Sequence, residues 1–219
     1  MTEDLTIGER IVLLALDEET GALREAPLRV SLAVSAAALL ELSVSGHLTE
    51  RDGALVPAGA PTPPDADPGS AAEAMAEHVR SHPDETPREW LLAVREPAMD
   101  AAYRGLLEKG LVRAQGRRVL GAFGSVKHPV TGLSELAALR GRLSAVLAEG
   151  QAPDEATAVL ITLLHHAGLR AVLPDGSGAE SHDEVLTAIA EGQGQAAGLG
   201  DTIRATFAAL TAVIASSAL

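Results

Sequence analysis

His165 and His166 stand side by side at the end of an apolar stretch, and the pair is the first feature of the sequence that suggests metal or acid–base chemistry. Adjacent residues on a helix point about 100° apart, so the two imidazoles cannot close on one ion as residues one turn apart can. There is no cysteine, no HExxH motif and no carboxylate-rich loop, so the pair reads as structural and no metal is assigned. Ser181, His182 and Asp183 bring nucleophile, base and acid types together. Hydrolytic triads, however, assemble from distant segments in defined geometric roles, and these three read as a loop and a helix cap. Gly192, Gly194, Gly198 and Gly200 lack both a preceding strand and a following Gly-Lys-Ser/Thr, which leaves a loop rather than a phosphate cradle. The reactive residue types therefore point away from an enzyme: no catalytic residue and no cofactor are assigned, and a helical enzyme whose residues meet only in the fold has no positive support here.

The elements that would position such groups are mostly helical. Thr6/Glu9, Ser70/Glu73, Thr86/Glu89 and Ser181/Glu184 have the spacing of reciprocal N-terminal caps, and each predicts a helix start. Asp17 to Gly21 reads as a turn. The apolar run that follows predicts a central helix reaching Leu42 and closed by Gly46. His47 to Val56, with Arg51-Asp52-Gly53 at its middle, suits a short hairpin. Pro57 to Gly69 has no hydrophobic period and reads as a mobile connection, near 57–69, within one domain over 1–219. Two helices follow, one before Pro83 and one from Thr86-Pro87. A second helix-then-hairpin unit spans Asp100 to Val126, and further helices are expected near 132–149, 153–171, 181–191 and 201–219. The fold class is mainly α: a compact helical domain with one or two short β-hairpins.

Composition narrows the class further. A chain of 219 residues with 47% hydrophobic residues can bury a core without disulfides, and the absence of cysteine removes a secreted disulfide scaffold. The acidic opening Met1-Thr2-Glu3-Asp4 is not a signal peptide, and Val30 to Leu40 is well short of the roughly 20 residues that cross a bilayer. A cytoplasmic location is expected, and the abundance of Ala, Gly and Arg points to a GC-rich bacterial source. The formal charge of −13 opposes nucleic acid and anionic membranes unless a local basic patch exists, which would be mostly arginine because Lys109 and Lys127 are the only lysines. Two helix-hairpin units are also the outline of a winged-helix DNA-binding regulator, the alternative from another class. Charge weighs against it, since Val30 to Leu48 carries no Arg or Lys and Asp100 to Lys109 carries only Arg104 and Lys109.

Read in order, several segments resemble the Golgi phosphoprotein 3 family. These are Leu5 to Asp17 (LTIGERIVLLALD), Leu39-Leu40-Glu41-Leu42 with Gly46 and Leu48, Trp90, Leu106 to Leu111, His128-Pro129, and Leu160 to Leu169. The resemblance covers nearly the whole chain. It implies a mainly helical, non-enzymatic adaptor that binds phosphatidylinositol 4-phosphate or another anionic lipid headgroup, holds protein clients, and sits peripherally on the inner face of a membrane. The family's pocket tryptophan falls near Ala26, one pocket arginine falls at Ser35 and another near Met99, so those positions are not kept. Arg24, Arg29, Arg95 and Arg104 are the basic residues nearby that would meet a headgroup. The family's projecting hairpin falls on Val119, Leu120 and Phe123, which would contact a membrane or a second copy of the chain. Lipid, protein clients and a homo-oligomer are thus the expected partners, and nucleic acid is not.

Overall fold

Pro27 opens the helix on which the rest of the molecule is built, with its ring at the first helical position, where the missing N–H breaks no bond. The computed structural model describes residues 5–51, 54–58, 69–115, 127–173 and 200–217. In chain order these form α1 (Ile7–Ala15), α2 (Pro27–Val44), β1 (Leu48–Arg51), β2 (Ala54–Pro57), α3 (Ala71–Ser81), α4 (Pro87–Glu108), α5 (Leu133–Leu147), α6 (Glu155–His166), a short 3-10 turn (Arg170–Val172) and α7 (Gly200–Ser217). The mainly α expectation holds. Helix α2 has apolar or small residues all round, which is the pattern of a helix enclosed by others. Accordingly α1, α3, α4, α6 and α7 pack against it, and it is buried from Val30 to Leu40. Its length and composition would also suit a bilayer span, but its apolar surface is already covered by protein.

The local signals act as the spacing predicts. Thr6 and Glu9 form a complete reciprocal cap on α1, Thr86 and Glu89 form another on α4, and the Ser70 hydroxyl accepts the Glu73 N–H at the start of α3. Ser181/Glu184 and the expected 181–191 helix lie outside the described residues. Gly46 follows α2 with φ +76°, and β1 then pairs with β2 antiparallel, Leu48 opposite Pro57 and Arg51 opposite Ala54. The helix from Thr86 and the helix ending at Lys109 are one element, α4, which runs through Pro97. An internal proline costs about 3 kcal/mol, and packing of α4 against α1, α2, α3 and α7 offsets it.

Beyond α4, segments 112–115 and 127–130 run antiparallel, bridged at Val112–Val130 and Gln115–Lys127. This is the stem of the second hairpin; Val119, Leu120 and Phe123 lie outside the described residues, as do 59–68 of the connecting segment. The stem is anchored to the turn at Asp17–Gly21. A Cβ at Gly21 (φ +62°) would lie 2.2 Å from the His128 carbonyl carbon, so only glycine allows the two backbones to meet.

Candidate functional site

The expected headgroup arginines divide between the two ends of α2. Arg24 is exposed just before the helix, where its backbone N–H donates to Ala15 at 2.8 Å. It lines a cleft of about 610 Å³ together with Asp17, Glu18, Glu19 and Arg140. Glu18 engages Arg140 in an ion pair, and hydrogen bonds from Thr20 hold the Asp17 carboxyl below the usual carboxylate range. Three carboxylates against two guanidiniums make this cleft unfavourable for an anion, so Arg24 meets a negative group only at its outer rim. Arg29, half-buried in the first turn of α2, donates to the Gly168 carbonyl at 3.3 Å and ties α2 to the end of α6. Leu28, between them, is 40% exposed, and α2 starts at Ala26 without any side-chain cap.

Arg104 lies at the other end of α2. It donates to the Gly69 carbonyl at 2.8 Å and borders a small cavity that Glu41 also lines. With about 1.5 Å of rise per residue, the 18 residues of α2 hold Arg104 and the Arg24–Arg29 edge roughly 20 Å or more apart. Arg95 bonds the Leu92 carbonyl of its own helix and pairs with exposed Glu96 at 3.2 Å, an arrangement that contributes little in solvent. One headgroup therefore cannot touch all four. The three altered pocket positions are also placed: Ala26 is exposed at the start of α2, Met99 is half-buried against the core, and Ser35 is fully buried with its hydroxyl donating to Leu91 at 3.0 Å. Of the adjacent histidines, His166 stacks on Phe207 and its Nδ1 lies 2.9 Å from the Thr211 hydroxyl, joining α6 to α7.

Sequence reasoning missed a polar constellation at the C-terminal end of α2. Glu9, with its side chain only 5% exposed, accepts two bonds from Lys109 Nζ, at 2.7 and 2.6 Å, as well as the Thr6 backbone N–H at 2.8 Å. Gly105 makes the room, since a Cβ there would fall 1.9 Å from Glu9 Oε1. Glu41 stands nearby in the middle of an apolar run, which was the available signal. Burial pushes its carboxyl up to about 7, and the Glu9 charge adds to this. Glu41 also reaches a larger cleft of about 800 Å³, whose walls are Ile7, Leu40, Val44 and Val159 and whose polar groups include Arg10, Arg142 and Asp154.

A pH dependence follows from Glu41. Its carboxyl binds a proton more tightly in the folded state than at the ordinary value of 4.5, so stability is greatest below pH 4.5 with respect to this group and falls as pH rises toward about 7. For a half-buried side chain the loss is of order 1–3 kcal/mol. Glu41→Gln is expected to raise the unfolding free energy by about that much at pH 8 and to flatten the fall between pH 4.5 and 7, as read by urea denaturation across pH. An unchanged pH profile would show that Glu41 is solvated.

The segments carrying the family resemblance are those that hold this structure together: Leu5 to Asp17 forms α1 and its turn, Leu39 to Leu42 lies in the core, Trp90 is fully buried, and His128-Pro129 seats the Gly21 turn. No curated protein matches the chain. The family model described as Golgi phosphoprotein 3 (GPP34) matches residues 7–206, which includes every one of these segments except the first two residues of the opening. On that match the chain belongs to the Golgi phosphoprotein 3 family.

Proposed function

We propose that this protein is a non-enzymatic adaptor that rests on the cytoplasmic face of a membrane and meets anionic lipid through the start of α2. The observation that carries the reading is the exposed Leu28 between Arg24 and Arg29 at an uncapped helix start. An apolar side chain flanked by cations suits the boundary between headgroups and acyl chains, and the positive end of the α2 dipole favours negative charge there. Family membership supports the adaptor role. Because Ser35 is enclosed and the cleft beside Arg24 is acidic, the preference proposed is for negative surface charge in general rather than for phosphatidylinositol 4-phosphate. Enclosure of α2 supports the adaptor over a DNA-binding regulator, since this helix has no long free face to lay in a groove. Protein clients would then be gathered at the membrane by the remaining surface.

Co-sedimentation with liposomes tests this. Each basic residue near an anionic surface contributes about 1 kcal/mol, so R24Q/R29Q together should weaken binding to phosphatidylglycerol vesicles by roughly 30-fold at low salt. Equal binding to vesicles carrying phosphatidylinositol 4-phosphate at matched charge is expected. If wild-type protein ignored every anionic vesicle, the membrane role would be lost; a strong phosphoinositide preference would restore the family's lipid specificity.

A further inference from the structure

His78 and His82 are one helical turn apart at the end of α3, and Glu85 follows in the elbow that leads into α4. We infer that His78, His82 and Glu85 form a binding site for a divalent transition-metal ion of the zinc type. Spacing of i and i+4 puts both imidazoles on one helix face, and their rings stack with centroids 4.4 Å apart. His78 Nε2 is 2.8 Å from Glu85 Oε2, and the three candidate ligand atoms all lie within 4.8 Å of one another. On a tetrahedral ion with bonds of about 2 Å, neighbouring ligands are roughly 3.3 Å apart, so small side-chain rotations bring these three into register.

The surroundings favour ligation. His82 Nδ1 is 3.2 Å from the His78 carbonyl, and a backbone partner at one ring nitrogen leaves the other, Nε2, to bind the ion. The elbow itself is held: the His82 carbonyl accepts from the indole of buried Trp90 at 3.0 Å and from the Glu85 N–H at 3.3 Å. Two imidazoles and one carboxylate, without thiolate, suit zinc and its neighbours nickel and copper, and not calcium or magnesium. With three protein ligands, a fourth position stays open to water. The ion would fasten the end of α3 to the start of α4. The run from His78 to His82 reads HVRSH, without the glutamate of an HExxH motif, and the carboxylate comes from outside the helix.

The test uses the untagged full chain after treatment with EDTA. Calorimetry with zinc chloride is expected to show one equivalent bound, and cobalt(II) is expected to give the visible absorption of a low-symmetry site. Each tenfold excess of zinc over its Kd should raise the melting midpoint by roughly 3–5 °C. His82 is exposed, so H82A should fold normally while losing the midpoint shift and at least roughly tenfold in affinity, with E85Q as a second, milder loss. Absence of saturable zinc binding by the wild type would overturn the assignment. Unchanged binding in both variants would do the same, by moving the ion to another histidine. Neither result bears on liposome binding through Arg24 and Arg29.

Discussion

Leu39→Asp is expected to abolish cooperative folding. Leu39 has no exposed surface and sits in the middle of α2, in contact with the shared core. Truncating a buried leucine costs about 2–5 kcal/mol, and an unpaired carboxylate in the same place adds several more or forces water into the core. Against a total stability of about 5–15 kcal/mol, the sum leaves little or no folded population. Circular dichroism should show the helical signal without a sharp thermal transition, or a large loss of signal. Leu133→Asp is the control, because Leu133 is 53% exposed in the first turn of α5, where an acidic residue is tolerated. An unchanged melt for Leu39→Asp would mean that α2 is not the centre of the fold.

Lys109→Met carries the second large effect. Lys109 is the ion-pair partner of Glu9 among the described residues, and the Glu9 carboxylate is almost entirely enclosed between α1 and α4. Removing one member of a buried pair strands the other and typically costs 3–5 kcal/mol; because the Lys109 side chain is 35% exposed, about 2–4 kcal/mol is expected here. Denaturant titration reads this directly. Adding Glu9→Gln to Lys109→Met should recover part of the loss, since the amide oxygen can still cap Thr6 while the stranded charge is gone. If the two substitutions were additive, the pair would be merely adjacent and not coupled.

These two positions differ in how far they could be read without the fold. Leu39 belongs to a run whose residues are apolar on every side, and that alone announces a buried helix. The caps at Thr6, Ser70 and Thr86 are equally local, each linking a hydroxyl to an N–H three residues away. Gly46 and the hairpin after it follow from the freedom of glycine at positive φ and from short-range strand pairing. Family membership was legible for the same reason: its motifs are the pieces of this local framework, in order along the chain.

What the sequence determined by itself, then, was the set of elements, because helix caps, turns and apolar periodicity act over three to seven residues. The tertiary structure decided which charges meet. Glu9 and Lys109 are 100 positions apart, and nothing local pairs them; α4 brings them together, and Gly105 leaves the space. The same long-range packing separated arginines that looked alike in the sequence, leaving Arg24 and Arg29 beside exposed Leu28, turning Arg104 toward Gly69, and holding Arg95 on its own helix. It also folded Glu85 back to His78 across the α3–α4 elbow. Charges interact through space with little regard for sequence distance, so their partners are set only when the apolar surfaces of the helices have chosen theirs.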